Sequence, residues 1–113
     1  MLFRSLIKSV SSSGKRIAGY GASTKGNVLL NFCNLTSDDI EYIIDANPDK
    51  HNSFTPGSNI PIYHEEMIDY DNFMPDYFLV LPWHFKDFII QKERRYRKRG
   101  GKFIFPLPEI EIV

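Results

Sequence analysis

Three glycines stand between a strand-like run and a helical one, and this junction narrows the fold more than any other feature of the chain. Arg16 to Tyr20 is compact and apolar, Gly19-Tyr-Gly-Ala-Ser-Thr-Lys-Gly26 follows, and Leu29, Leu30 and Cys33 then recur at helical spacing. Strand, glycine turn and helix in that order open a βαβ unit, whose next strand lies parallel to the first. The rest of the chain repeats the alternation. Ile40 to Ile44 reads as a second strand, buried on both faces and ending at Asp45, and Asn47-Pro48 stops it. His51 to Ile60 is a loop rich in Asn, Ser, Thr, Pro and Gly ahead of a short strand at Ile60 to Tyr63. Pro75-Asp76 introduces Tyr77 to Leu81, another buried strand. Phe85, Phe88, Ile89, Lys92 and Tyr96 form a helical stripe, Gly100-Gly101 caps it, and Lys102 to Phe105 is the last strand.

Ahead of the glycine segment, Leu2, Phe3, Leu6, Ile7 and Val10 make an apolar stripe on a short helix that Ser11-Ser12-Ser13-Gly14 ends. The expected architecture is α/β: a three-layer, Rossmann-like fold with a mostly parallel sheet, right-handed crossovers, helices on both faces and the Arg16 to Tyr20 strand at the centre. A length of 113 residues fits one domain and leaves no room for two. Residues 1–14 are the N-terminal helix and 15–113 the α/β core.

A strand entering a helix through glycines presents backbone N–H groups at the positive end of the helix dipole, where phosphate is the natural ligand. Gly19 can make the tight turn, Gly21 can admit a phosphate to the backbone, Ser23 or Thr24 can cap the helix, and Lys25 can add a point charge. The candidate nucleotide-binding residues are therefore Gly19, Tyr20, Gly21, Ala22, Ser23, Thr24, Lys25, Gly26 and Asn27. The spacing matches neither G-x-G-x-x-G nor the P-loop, so the glycines can equally serve close packing of helix on strand. Asp45, 26 residues after Gly19, stands near where an α/β nucleotide site places an acid on a ribose hydroxyl. With Asn47 it can also form an Asx turn before Pro48, and the two roles are compatible.

Other chemistries find less support. His51, His64 and His84 are isolated in sequence, and Tyr63-His-Glu-Glu66 lacks the second histidine of a zinc-protease helix, so no metal site is expected. Cys33, the only cysteine, cannot form an internal disulfide and reads as a small core residue, not a nucleophile. No catalytic residue is expected. A net charge of zero hides sorting along the chain: five basic residues and no acid up to Ser37, then ten acids against Lys50 alone to Asp76, then eight basic residues against four acids. The basic run Lys92 to Arg99 reads as a solvated helix end favoured by the dipole, with no nucleic-acid partner expected. No apolar run approaches the roughly 20 residues of a spanning helix, and no secretory signal opens the chain, so neither a membrane nor an oxidising compartment is expected and the cytoplasm fits best.

Arg16-Ile-Ala-Gly-Tyr-Gly-Ala-Ser-Thr-Lys-Gly-Asn-Val-Leu-Leu-Asn31 closely resembles the signature Gly-Tyr-Gly-Ala-x-x-Lys-Gly-Asn-Thr-Leu-Leu-Asn that opens the C-terminal domain of SAM-dependent sugar C-methyltransferases. Asp45-Ala-Asn-Pro-Asp-Lys50, Thr55-Pro-Gly57 with Ile60-Pro61, Pro75-Asp-Tyr-Phe-Leu-Val-Leu-Pro-Trp83 and Gly100-Gly-Lys-Phe-Ile-Phe-Pro-Leu-Pro108 continue the resemblance in family order. Val28, where threonine is commoner, is a mild departure. The resemblance implies a Rossmann-like substrate-side domain of a methyltransferase acting on a nucleotide-linked deoxy-keto-sugar, with SAM, the zinc-binding segment and the acid/base residues supplied by other domains, in cis or in trans. The usual SAM strand carries an acid two residues before a Gly-x-Gly-x-Gly run, whereas Ile17 and Ser23 fill the corresponding places here. No cofactor is therefore expected on this chain; SAM is implied for the full-length enzyme only. The alternative is a free-standing nucleotide-binding or interaction module, to which the start at Met1 lends weak support.

Overall fold

A computed structural model describes residues 2–69 and 74–113. Helix α1 (Leu2–Ser12) leads into strand β1 (Ile17–Tyr20), followed by α2 (Thr24–Phe32), β2 (Ile43–Asp45), β3 (Ser53–Phe54), β4 (Pro61–His64), β5 (Tyr77–Val80), α3 (Lys86–Lys92), α4 (Arg94–Lys98), β6 (Lys102–Phe105) and β7 (Glu111–Ile112). The strands form one sheet in the order β3-β4-β2-β1-β5-β6-β7, with β1 fourth of seven. The five inner strands pair in parallel. Only the edge strands β3 and β7 run antiparallel.

Alternation along each strand builds two cores, because successive side chains leave a strand on opposite faces. Ile17, Ile43, Leu79 and Ile104 join Phe3 and Ile7 of α1 and Leu30 of α2 on one face. Ala18, Tyr20, Ile44, Phe78, Val80, Phe103 and Phe105 join Ile89 of α3 and Tyr96 of α4 on the other. The result is the three-layer α/β fold with a central β1 that the alternating runs imply.

Several boundaries differ from expectation. The strand expected at Ile40 to Ile44 is β2, Ile43–Asp45. Its approach is nevertheless extended: Glu41 N–H donates to the Ile17 carbonyl at 3.0 Å, and Gly19 N–H to that of Tyr42 at 2.7 Å. The loop expected from His51 to Ile60 contains edge strand β3, and β7 adds a second edge strand beyond the last one expected. Gly19 lies inside β1, so the tight turn falls at Gly21, whose φ is +82°. The single helix expected up to Gly100 is split at Glu93, whose carboxylate accepts the Tyr20 hydroxyl at 2.9 Å. Two apolar stripes are also narrower than expected. Leu2 is 82% exposed, and Phe85 and Phe88 are 56% and 68% exposed. Phe85 belongs to a 3₁₀ turn, Trp83–Phe85, and so lies out of phase with the α-helix; Phe88 stands about 100° around the axis from inward-facing Ile89. No helix among the described residues is long and apolar enough to cross a membrane.

Tyr42 is 4% exposed, and burial pushes its hydroxyl from the ordinary value of 10.0 up to about 12. The fold therefore favours the protonated phenol. Its contribution is complete below pH 10 and is lost as pH rises towards about 12. Unfolding free energy is expected to fall there with a slope approaching about 1.4 kcal/mol per pH unit from this group. Tyr42→Phe should remove that component from the difference between wild-type and variant urea-unfolding curves.

Candidate functional site at the carboxyl edge of the sheet

The connection after β1 turns towards β2 on one side of the sheet, while that after β5 turns towards β6 on the other. Between β1 and β5 lies the topological switch point, where open α/β sheets bind ligands outside the carboxyl ends of their strands. The glycine segment leaves β1 at this place, and Pro82 follows β5.

The three glycines serve packing. A Cβ on Gly19 would stand 2.6 Å from Ile43 Cγ1, one on Gly26 would stand 2.4 Å from Leu81 Cβ, and one on Gly21 would stand 2.8 Å from Pro82 Cδ. Gly21 thus meets Pro82 where a phosphate was expected to approach.

Most N–H groups of the segment are also committed. Gly21 N–H donates to the Ile44 carbonyl at 2.8 Å, Ser23 N–H to the Gly21 carbonyl at 3.0 Å, and Asn27 N–H to the Ser23 carbonyl at 2.9 Å. Ser23 is the N-cap of α2, its Oγ accepting Gly26 N–H at 3.1 Å. Ala22 N–H donates to Asp45 Oδ2 at 2.8 Å. The first-turn donors that helix geometry leaves over are those of Thr24 and Lys25.

Asp45 and its neighbours hold this loop in place. Asp45 Oδ1 accepts Asn47 N–H at 2.8 Å, and Asn47 Oδ1 accepts Asp49 N–H at 3.0 Å, which makes the Asx turn and caps the following 3₁₀ turn. Lys50 reaches back across the strand ends: its Nζ donates to the Ala22 carbonyl at 2.9 Å and lies 3.7 Å from Asp45 Oδ2.

On the α2 side of the edge is a cavity of about 350 Å³. Ala22, Ser23, Thr24 and Asn27 line it together with Lys50, Ser53 and Thr55. Of these, Asn27 has its Oδ1 buried with no donor among the described residues. Of the sequence candidates the cavity gathers those four; Gly19, Tyr20, Gly21, Lys25, Gly26, Asp45 and Asn47 do not line it. Tyr20 points into the opposite core. Lys25 is exposed beyond the rim. Lys50, Ser53 and Thr55 were missed as site residues, although Lys50 closes the Asp-x-Asn-Pro-x-Lys pattern. Leu30, Pro56, Ile62 and Leu81 complete the lining, so hydroxyls, an amide and one ammonium stand beside apolar side chains, with no nucleophile paired with a base.

Elsewhere, burial pushes the Cys33 thiol up, which disfavours the nucleophilic thiolate. His51 and His64 adjoin in space, but the contact is His64 backbone N–H to His51 Nδ1 at 3.1 Å. No group of three potential metal-ligating side chains occurs among the described residues.

A mostly parallel α/β sheet with a cavity at its carboxyl edge defines a Rossmann-like domain. The family model described as "C-methyltransferase C-terminal domain" matches residues 2–108, and the chain belongs to that family. Over 110 residues, 97% of its length, it is 39% identical to the C-methyltransferase NovU of Streptomyces niveus. It spans about a quarter of that curated relative, 26%.

Proposed function

We propose that this chain is the substrate-side domain of a SAM-dependent C-methyltransferase acting on a nucleotide-linked deoxy-keto-sugar. In this reading it holds the nucleotide portion while SAM and the acid/base residues reside on another domain. The observation that carries it is the cavity at the carboxyl edge, which Asn27, Lys50 and the first turn of α2 line, Asn27 Oδ1 being a buried acceptor with no donor among the described residues. A buried acceptor of this kind costs free energy unless a ligand donor such as a hydroxyl meets it. Thr24 and Lys25 N–H with the Lys50 ammonium suit phosphate oxygens. Asp45 then acts mainly by holding Ala22, and it can reach a ribose only with lone pairs its backbone contacts leave over. Membership of a C-methyltransferase family and the likeness to NovU support the methyl-transfer context.

A chemical-shift titration of the 113-residue chain with thymidine diphosphate tests this. Shifts are expected at Ala22 to Asn27 and Lys50 to Thr55. Lys50→Ala should weaken binding about five- to ten-fold, the loss of roughly one charge-assisted contact, and Lys25→Ala about two-fold, as one screened charge. Affinity should be weak, because much of the ligand stays in water. No shifts in either segment at millimolar ligand would reject the site. Saturable micromolar SAM binding to the chain would reject the division of labour.

A further inference from the structure

On the α3 side of the sheet, where Pro82 meets Gly21, lies a second hollow of about 360 Å³ lined by Tyr20, Pro82, Phe85, Phe88, Ile89 and Lys92. Five of its six lining side chains are apolar or aromatic, and Lys92 is the sixth. Phe85 and Phe88 are 56% and 68% exposed. Two large aromatic side chains left in water beside a hollow mark a contact surface, since apolar patches rimmed by charge are where protein partners bury aromatic anchors.

We infer that this hollow is the docking face for the methyl-donating catalytic domain of a C-methyltransferase, an inference that rests on the function proposed above. The chain belongs to a family of C-terminal domains and matches only 26% of NovU, so in that relative the equivalent segment is joined to roughly three times its own mass of further protein. A ligand held at the carboxyl edge must meet a methyl donor brought by that other protein, which therefore has to close over the same edge. Leu81 lines the first cavity and its chain neighbour Pro82 lines the second, so the two adjoin along the ridge that these residues make after β5. A domain covering one would rest on the other, with the aromatic side chains giving adhesion and the ridge setting the distance to the ligand. The exposed apolar side chains of α2, Val28 and Phe32 at 64% and 74%, lie on the other face of the sheet, and Phe32 is two helical turns from the glycine segment.

The test joins this chain to NovU in place of the segment it matches and follows amide hydrogen exchange over residues 84–91, compared with the 113-residue chain alone. Exchange in the joined protein is expected to be at least ten-fold slower. The exposed pair Phe85→Ser/Phe88→Ser should return it to the rate of the separate chain, while Phe32→Ser should keep the protection. Equal exchange in joined and separate proteins overturns the inference, as does protection that survives the double serine variant. Protection that appears in the separate chain and grows with its concentration also overturns it, because a second copy is then the occupant. Protection of 84–91 in a protein that shows no nucleotide shifts at Ala22 to Asn27 supports the docking face and rejects the nucleotide site, so the two proposals fail separately.

Discussion

Phe78→Ala is expected to destabilise the domain by about 3–5 kcal/mol, the range for truncating a buried phenylalanine. Phe78 is fully buried at the middle of β5. Its ring lies 4.6 Å from that of Tyr96, 5.7 Å edge-on from that of Tyr20 and 6.3 Å from that of Phe103. These four rings tie β1, β5 and β6 to α4, so the cavity left by alanine would open at the junction of three strands and a helix. No neighbour can refill it by a rotamer change, because each has its own anchor: the Tyr20 hydroxyl on Glu93, the Tyr96 hydroxyl on the Pro75 carbonyl at 3.1 Å, and Phe103 inside β6. A domain of this size has about 5–15 kcal/mol in total, so the variant should sit near its unfolding threshold at 37 °C. Urea unfolding followed by far-UV circular dichroism reads this directly; a loss under about 1 kcal/mol would mean that the aromatic cluster is not the mechanical centre of this face.

The same residues explain which features were legible in the sequence. Ile17, Ile43, Phe78 and Phe103 fall in runs too short and too apolar to be anything but central strands, so the parallel core and its order of elements follow from composition and punctuation. Ser53–Phe54 and Glu111–Ile112 are two residues each, and no pattern distinguishes so short a strand from a loop; only the partners Pro61, Ile62, Ile104 and Phe105 define them. The loop after β1 was legible in place and not in detail. Asp45 and Asn47 announce an Asx turn through their residue types alone, whereas the bond from Ala22 N–H to Asp45 Oδ2 joins positions 23 apart and depends on the register of β1 with β2. Lys50 reaches the cavity for the same reason: its chain crosses strand ends that are neighbours only after the sheet has formed. Phe85 and Phe88 were read into one stripe with Ile89 and Tyr96 because helical spacing alone does not say which members of a stripe the core takes.

Gly26→Ala carries the sharpest test of what the glycine segment is for. In an exposed helix this exchange ordinarily stabilises by about 1 kcal/mol, through helix propensity and a less flexible unfolded chain. Gly26 has no positive φ to oppose it. The contact decides the sign: the new Cβ would lie 2.4 Å from Leu81 Cβ and 2.9 Å from Ser23 Oγ. Neither obstacle is the far end of a flexible side chain, since Leu81 Cβ is fixed by its strand end and Ser23 Oγ is held as the helix cap. The first turn of α2 must therefore lift from the sheet, which loosens Leu30 in the core and breaks the bond from Gly26 N–H to Ser23. Overpacking costs about 1–3 kcal/mol and a lost cap about 1 kcal/mol, against a gain of about 1 kcal/mol, so a net loss of about 1–3 kcal/mol is expected for alanine and a larger one for valine. Thermal unfolding of the two variants measures it, with Gly100→Ala as a control that is strained by a φ of +95° but has open space around its Cβ. If alanine instead stabilises the domain, then α2 does not press on β5 as described, and Gly26 is free to serve a ligand. If both variants destabilise in the order of side-chain size while a nucleotide still shifts Thr24 and Lys50 in the folded fraction, the glycines are the means by which helix and sheet approach, and recognition falls to the polar side chains that this approach brings to one edge.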